Sequence, residues 1–227
     1  IIHSNYGRLL KFSFGIRGVG ENLLSQINGI SYLITRLFMI HRLNIDPDLP
    51  VISQWTLLIF LEAIFLAVLI IIGMLSIKRN PWLCFGILWF FLHLIPGNSI
   101  IPRLDIANER QLYLPIWGIF LIIGVGISKF MNSIHERYIF KQAAIIMLIL
   151  ILGFFTVKRN FVYWSETALW EDTALKSPMK ARVYNNLGYA YALVGRSKDA
   201  KEAYVKALTL KPDYKIARNN LEKVLEK

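Results

Sequence analysis

The sequence predicts an all-α protein, a polytopic transmembrane helix bundle followed by a short C-terminal domain of helical hairpins. Three observations carry that prediction. The 227 residues are 55% hydrophobic with a mean hydropathy of +0.46, and only 18% are charged, against about a quarter in an ordinary soluble domain. The charges are unevenly spread, with 14 Lys+Arg and 8 Asp+Glu in residues 158–227 against 12 and 7 in residues 1–157. The C-terminal stretch also repeats small and aromatic residues at hairpin spacing. Collagen-like, disordered and disulfide-framed classes are excluded, the last because a lone Cys84 has no partner. The net charge of +11 comes without a long Lys/Arg run. A solvated face or anionic lipid head groups account for it better than nucleic acid does.

Residues 1–54 read as an extracytoplasmic or interfacial segment. Within it Leu23, Ile27, Ile30, Ile34, Leu37 and Phe38 recur at helical spacing over 23–43, predicting an amphipathic helix in the interface or inside a bundle. Asn44-Ile-Asp-Pro-Asp-Leu-Pro50 ends it with turn chemistry. Residues 55–157 form the bundle, with spans over about 56–77, 82–96, 112–130 and 139–157. The first is long enough at about 1.5 Å per residue to cross a hydrocarbon core of about 30 Å. The second is short and needs Pro81 and Trp82 at the interface. No secretory signal follows Ile1, so the chain reads as a fragment or processed piece of a longer protein.

Loop charges orient the bundle. Lys78 and Arg79 with Lys129, Arg137 and Lys141 outnumber Arg103 and Arg110 in the 97–111 loop. The positive-inside bias then puts the 97–111 loop, the 1–54 segment and the C-terminal domain outside the cytoplasm, although five basic residues within 1–54 oppose it.

Periodicity is strongest over 181–214. Tyr184, Leu187, Gly188, Tyr191, Ala200, Tyr204, Ala207 and Pro212 occupy positions 4, 7, 8, 11, 20, 24, 27 and 32 of a 34-residue pattern. These are the positions of a tetratricopeptide repeat. Gly188 and Ala200 are small where two antiparallel helices cross, the aromatics fill the space between them, and Pro212 stops the second helix. A degenerate repeat is predicted over 165–178 and a polar capping helix over 215–226, which makes 158–227 the repeat domain. The concave positions Arg182, Asn185, Tyr189 and Ala192, with Asn219 from the next helix, could hold an extended peptide with a carboxylate. The competing reading is a stack too short for a groove, which braces the membrane part.

The candidate chemistry of the membrane part lies in 96–115, PGNSIIPRLDIANERQLYLP. Arg103, Glu109 and Arg110 stand with Asn98 and Tyr113 at the mouth of two spans, where unpaired charge is costly. Guanidinium groups there suit the phosphate of a lipid carrier, because they hold phosphate oxygens bidentately. A solvated loop in which Arg103–Asp105 and Glu109–Arg110 neutralise each other is the alternative. No metal site is predicted: Asp46 and Asp48 could hold a divalent cation, but turn and capping use of Asp is commoner, and His3, His41, His93 and His135 are scattered. Glu62 inside the first span is a functional candidate by its position. No nucleophile arrangement or dinucleotide fingerprint is visible.

Several of these stretches together resemble one family. They are the Leu43-Asn-Ile-Asp-Pro-Asp-Leu-Pro50 turn, Pro96-Gly-Asn-Ser99, Asn108-Glu-Arg-Gln-Leu-Tyr-Leu-Pro115 before a span, and Arg159-Asn160…Trp164…Glu166…Leu169-Trp170 leading into the repeat. In that order they are similar to the transmembrane-and-TPR (TMTC-type) proteins, over about residues 20–227. The resemblance implies the C-terminal half of a GT-C-fold glycosyltransferase that moves a sugar, typically mannose, from a polyprenyl-phosphate carrier to an acceptor outside the cytoplasm. It implies an integral protein of the bacterial inner membrane or the endoplasmic reticulum, with the repeats extracytoplasmic or lumenal as a protein-interaction or acceptor platform. Arg110, with Arg103, would steady the departing phosphate, Glu109 would orient Arg110 and Tyr113 would position the lipid. The catalytic acid of such enzymes is expected upstream of these residues, and no cofactor is implied beyond a candidate divalent cation. A membrane-anchored scaffold and an O-antigen-ligase-like transferase are the alternatives.

Overall fold

Apolar runs and their stop signals set the helices of the computed structural model, which describes residues 2–133 and 138–226. The first unit comprises Ile1–Leu43 and Leu49–Ala144. It holds α1 (Ile2–Ile16), α2 (Val19–Phe38), α3 (Leu57–Leu75), α4 (Pro81–Leu94) and α5 (Ile116–Ser133), and the start of α6 (Tyr138–Val162). α3, α5 and residues Ile139–Val162 of α6 are long and apolar enough to cross a membrane. α3 starts where the Thr56 hydroxyl accepts from the Ile59 N–H at 3.3 Å. α4 starts at Pro81, whose missing N–H is harmless in a first turn. α4 is a shorter apolar helix of 14 residues.

Small residues bring these helices close. A Cβ on Gly86 of α4 would stand 2.6 Å from the Gly118 carbonyl oxygen of α5, so the two backbones nearly touch. A Cβ on Gly73 of α3 would stand 3.0 Å from the Ile87 side chain. Above the crossing, the Trp89 indole donates to the Leu114 carbonyl at 2.9 Å. Leu33, Phe90, Leu94, Ala107 and Leu112 form the buried core of this unit.

α2 covers Val19–Phe38 where the expected amphipathic helix ran over 23–43, and only part of its apolar stripe packs inward. Ile30, Ile34 and Leu37 pack against the core, but Leu23 and Phe38 are exposed. The fully buried positions carry Asn22, Ser25 and Gln26 beside Leu33. Gly29 permits the approach, since a Cβ there would stand 3.0 Å from Ile106. The polar stripe faces inward because it meets irregular backbone from the 98–107 loop, whose carbonyls need donors.

The second unit comprises Asn44–Asp48 and Ile145–Lys227. After α6 come α7 (Glu166–Lys176), α8 (Ala181–Leu193), α9 (Ser197–Leu210) and α10 (Lys215–Leu225). Ser165 caps α7 by accepting from the Ala168 N–H at 3.0 Å. Gly195, at φ +77°, makes the left-handed turn between α8 and α9. A Cβ on Gly188 would stand 2.7 Å from the Tyr204 ring, which confirms why that position is bare. Ala174 of α7 packs with Val183, Leu187 and Ala203 in one core, so α7 stacks on the α8–α9 hairpin. No strand occurs among the described residues.

Candidate functional site

The 97–112 loop of the first unit is stitched to α2 rather than solvated. The Asn22 amide donates to the Ser99 carbonyl at 2.8 Å and to that of Ile100 at 3.2 Å. Asn98 donates to Gln26 at 2.6 Å and to the Ile106 carbonyl at 3.3 Å. Arg17, just before α2, donates to the Arg103 carbonyl. Burial lowers the Arg17 guanidinium pKa, with the nearby Asp105 and Glu21 charges pulling the other way. Asn108 turns the chain into a short helix, Glu109–Leu112, its amide on Asp105 and its backbone N–H on the Gln111 side chain.

These bonds decide which predicted site residues face outward. Asn98 is buried and committed to Gln26, so it supports the loop from beneath. Glu109 is half-buried. Arg103, Arg110 and Tyr113 are exposed, and Arg103 Nε lies 3.7 Å from Asp105 in a loose pair. Ile100, Leu104, Leu114 and Trp117 are also exposed. The result is a ledge in which guanidinium groups alternate with apolar side chains, suited to an anionic head on a hydrocarbon tail. Sequence reasoning missed Arg17, Asn22 and Gln26. The only signal for the last two was their spacing of four, which puts Asn22 and Gln26 on one face of α2.

Glu62 is not a lone intramembrane charge: the Asn28 amide of α2 donates to its carboxylate at 3.2 and 3.3 Å. His93 stacks on Trp89 at 3.9 Å between ring centroids, with Nδ1 2.9 Å from the Trp89 carbonyl oxygen. Among the described residues no group of three or more His, Cys, Asp or Glu could hold a metal ion. His135 lies outside the described residues, as do Arg137 and the side chains of His3 and His41.

In the second unit the 44–48 turn is inserted against the start of the repeat. Asp46 is buried, and its carboxylate accepts from Lys180 Nζ at 2.7 Å, from Arg182 Nε at 2.9 Å and from Arg182 Nη2. Lys180 also donates to the Pro47 carbonyl at 2.7 Å. The Ser177 hydroxyl donates to the Asp46 carbonyl and accepts from Asn44, both at 2.9 Å. Asp46 is therefore a counter-ion for the repeat rather than half of a cation site. Arg182, predicted for the groove, is occupied within the chain. Asn185 is buried, donating to Asn186 at 3.2 Å and accepting from Asn220 at 3.1 Å, so Asn220 rather than Asn219 reaches it. Tyr189 and Asn219 remain exposed. Further on, Arg159 of α6 and Lys176 of α7 each bond Asp172 at 2.7 Å.

The tetratricopeptide repeat family matches residues 181–214. Protein O-mannosyl-transferase TMTC1 of Mus musculus is 29% identical over 138 residues, 60% of this chain and 15% of the relative. Protein O-mannosyl-transferase Tmtc3 of Drosophila melanogaster is 27% identical over 142 residues, 61% of this chain and 15% of the relative. Protein O-mannosyl-transferase F38B6.6 of Caenorhabditis elegans is 30% identical over 175 residues, 74% of this chain and 24% of the relative. The chain thus spans about 15% of the length of the first relatives it matches. No solved structure matches.

Proposed function

Proceeding from homology to the TMTC-type protein O-mannosyl-transferases, we propose that this chain is part of a membrane glycosyltransferase that moves mannose from a polyprenyl-phosphate carrier to an acceptor outside the cytoplasm. The observation that carries this is the ledge: Arg103 and Arg110 are exposed among Ile100, Leu104, Tyr113, Leu114 and Trp117 on a loop pinned to α2. In the transfer the acceptor oxygen bonds to the sugar's anomeric carbon as the bond from that carbon to the phosphate breaks. A base takes the acceptor proton and the phosphate leaves with the electron pair. Arg110 and Arg103 stabilise the growing phosphate charge, Glu109 orients Arg110, and Tyr113 and the apolar neighbours hold the lipid.

Chain topology supports the sidedness. Asp46 pairs with Lys180 and Arg182, so both partners lie on one side of a sealed membrane and the chain between them crosses an even number of times. α3, α5 and α6 give three crossings, and α4 supplies the fourth, its ends completed by interfacial residues. The positive-inside bias then favours the extracytoplasmic side for both. The in-cis use of Arg182 favours a repeat that binds its own chain's 44–48 turn over an open peptide groove. Tyr189 and Asn219 are left to meet a protein partner.

The test uses the native full-length protein and a labelled lipid-linked mannose. Arg110→Ala should lower transfer about a hundredfold at unchanged expression, the scale of losing one charge-stabilising donor. Unchanged transfer would remove Arg110 from the mechanism.

A further inference from the structure

α6 is longer than a bilayer needs. Its 25 residues span about 37 Å at about 1.5 Å per residue, against a hydrocarbon core of about 30 Å. The apolar run ends at Val157 and gives way to Lys158, Arg159 and Asn160, so the last turn of the helix stands among lipid head groups. Beyond that turn the surface becomes apolar again, with Phe161 64% and Trp164 84% exposed. An exposed Trp just past a span sits at the depth that bilayer interfaces favour for it.

α7 offers a second apolar edge beside this turn. Leu169, Thr173 and Ala174 are buried, and Ala174 and Trp170 belong to the repeat core. Helical spacing puts Asp172 and Leu175 together on the opposite face. That face is turned toward the end of α6, because Arg159 bonds Asp172 at 2.7 Å, as Lys176 does. Leu175 is 83% exposed there, and Met179, in the turn that follows α7, is 70% exposed.

What covers these side chains follows from continuity and charge. Phe161, Trp164, Leu175 and Met179 lie within seven residues of the Arg159–Asp172 bridge, directly beyond the lipid-facing surface of α6. Arg159 and Lys176 share one carboxylate, which leaves this corner positive, and exposed Lys158 adds to it. The other acids of α7 are engaged elsewhere. Glu171 accepts from the Tyr191 hydroxyl at 2.8 Å and from Arg196 at 3.4 Å, and Glu166 accepts from the Trp170 indole at 3.1 Å. Large apolar side chains with cations at head-group depth match an anionic leaflet. We propose that Phe161, Trp164, Leu175 and Met179 form a membrane-docking surface of the repeat domain, inserted among anionic phospholipid head groups with Lys158 on their phosphates. The repeat is then held to the bilayer along α7 as well as through α6.

The test uses the full chain in nanodiscs of mixed phosphatidylcholine and phosphatidylglycerol. Single nitroxide labels are placed by Leu175→Cys, Met179→Cys or Lys201→Cys in a Cys84→Ser background. Oxygen concentrates in hydrocarbon and a nickel chelate stays in water, so their relative collision rates with the label report depth. Labels at 175 and 179 should favour oxygen, and the label at the exposed Lys201 position of α9 should favour nickel. Nickel preference at both 175 and 179 overturns the docking surface. Exclusion of both reagents at those two sites overturns it as well, since it identifies a protein partner or a second copy as the cover. In phosphatidylcholine alone the oxygen preference should weaken about fivefold, the scale of one lysine at an anionic surface. An equal preference in both lipids overturns the anionic assignment. Leu175→Glu should lower the oxygen preference of the label at 179 about tenfold, the scale of exposing one leucine side chain, with helicity by circular dichroism unchanged. An unchanged preference there overturns insertion of the two side chains as one surface.

Discussion

The Asp46 carboxylate lies 2.7 Å from Lys180 Nζ, a residue 134 positions later in the chain. The Asp46 side chain is 4% exposed and those of Lys180 and Arg182 are 20% and 26% exposed. Removing the anion leaves two partly desolvated cations facing each other. Asp46→Ala is therefore expected to destabilise the repeat by about 3 kcal/mol, the lower end for breaking a buried pair because its partners retain some water. Thermal unfolding of the purified chain followed by circular dichroism checks this. A melting point within error of native would show that the 44–48 turn is held by something else.

The Asn44 amide and the Ser177 hydroxyl, 2.9 Å apart, give a test of sidedness. In a Cys84→Ser background, Asn44→Cys with Ser177→Cys should be joined by a short bifunctional thiol reagent in sealed membranes. A membrane-impermeant version should join them from one side only. If impermeant reagents reach the two cysteines from opposite sides, α4 does not cross and the even count fails.

The repeat was readable in advance because its physics is local: Gly188 against Tyr204 and Ala174 against Val183 are contacts between neighbouring helices, and the spacing records them. The long spans were readable from hydrophobic length. The Asp46 cluster was not, since two parts of the chain more than 130 residues apart share no periodicity. The apolar stripe of α2 was legible and Ile30, Ile34 and Leu37 pack on the core, but the burial of Asn22 and Gln26 was not, because it depends on carbonyls of a loop more than 70 residues away. Of the ledge, Arg103 and Arg110 were visible as residue types, but their support from Asn22 and Arg17 required the three-dimensional pairing.

Three tyrosines of the second unit make its stability sensitive to alkali. Burial raises the Tyr191, Tyr204 and Tyr214 hydroxyls above their ordinary value of 10.0, and at Tyr191 the hydrogen bond to Glu171 raises it further. A raised folded pKa favours the neutral form, so this contribution is complete below about pH 10 and declines as the unfolded chain ionises first. The melting temperature should fall as pH climbs through 10 and beyond. Tyr191→Phe should shallow that slope, because phenylalanine has no proton to lose. An equal slope in both proteins would show that the Tyr191 hydroxyl is not shielded as described.

The Gly86–Gly118 crossing ties the short α4 to α5. A methyl group on Gly86 would sit 2.6 Å from the Gly118 carbonyl and as close to the Ile122 side chain. Ile122 can rotate away, but the carbonyl is backbone, so relief requires the helices to separate. Gly86→Ala should cost about 1–3 kcal/mol, the usual range for overpacking. The loss should also reach the ledge, because Trp89 on the same helix donates to the Leu114 carbonyl beside Tyr113. Unfolding in detergent should register the stability loss, and binding of a fluorescent polyprenyl phosphate should weaken in parallel. Weaker lipid binding at native stability would mean that Gly86 acts on the ligand directly and would contradict the packing role. Loss of stability with lipid binding intact would show that the ledge is held by its bonds to α2 alone.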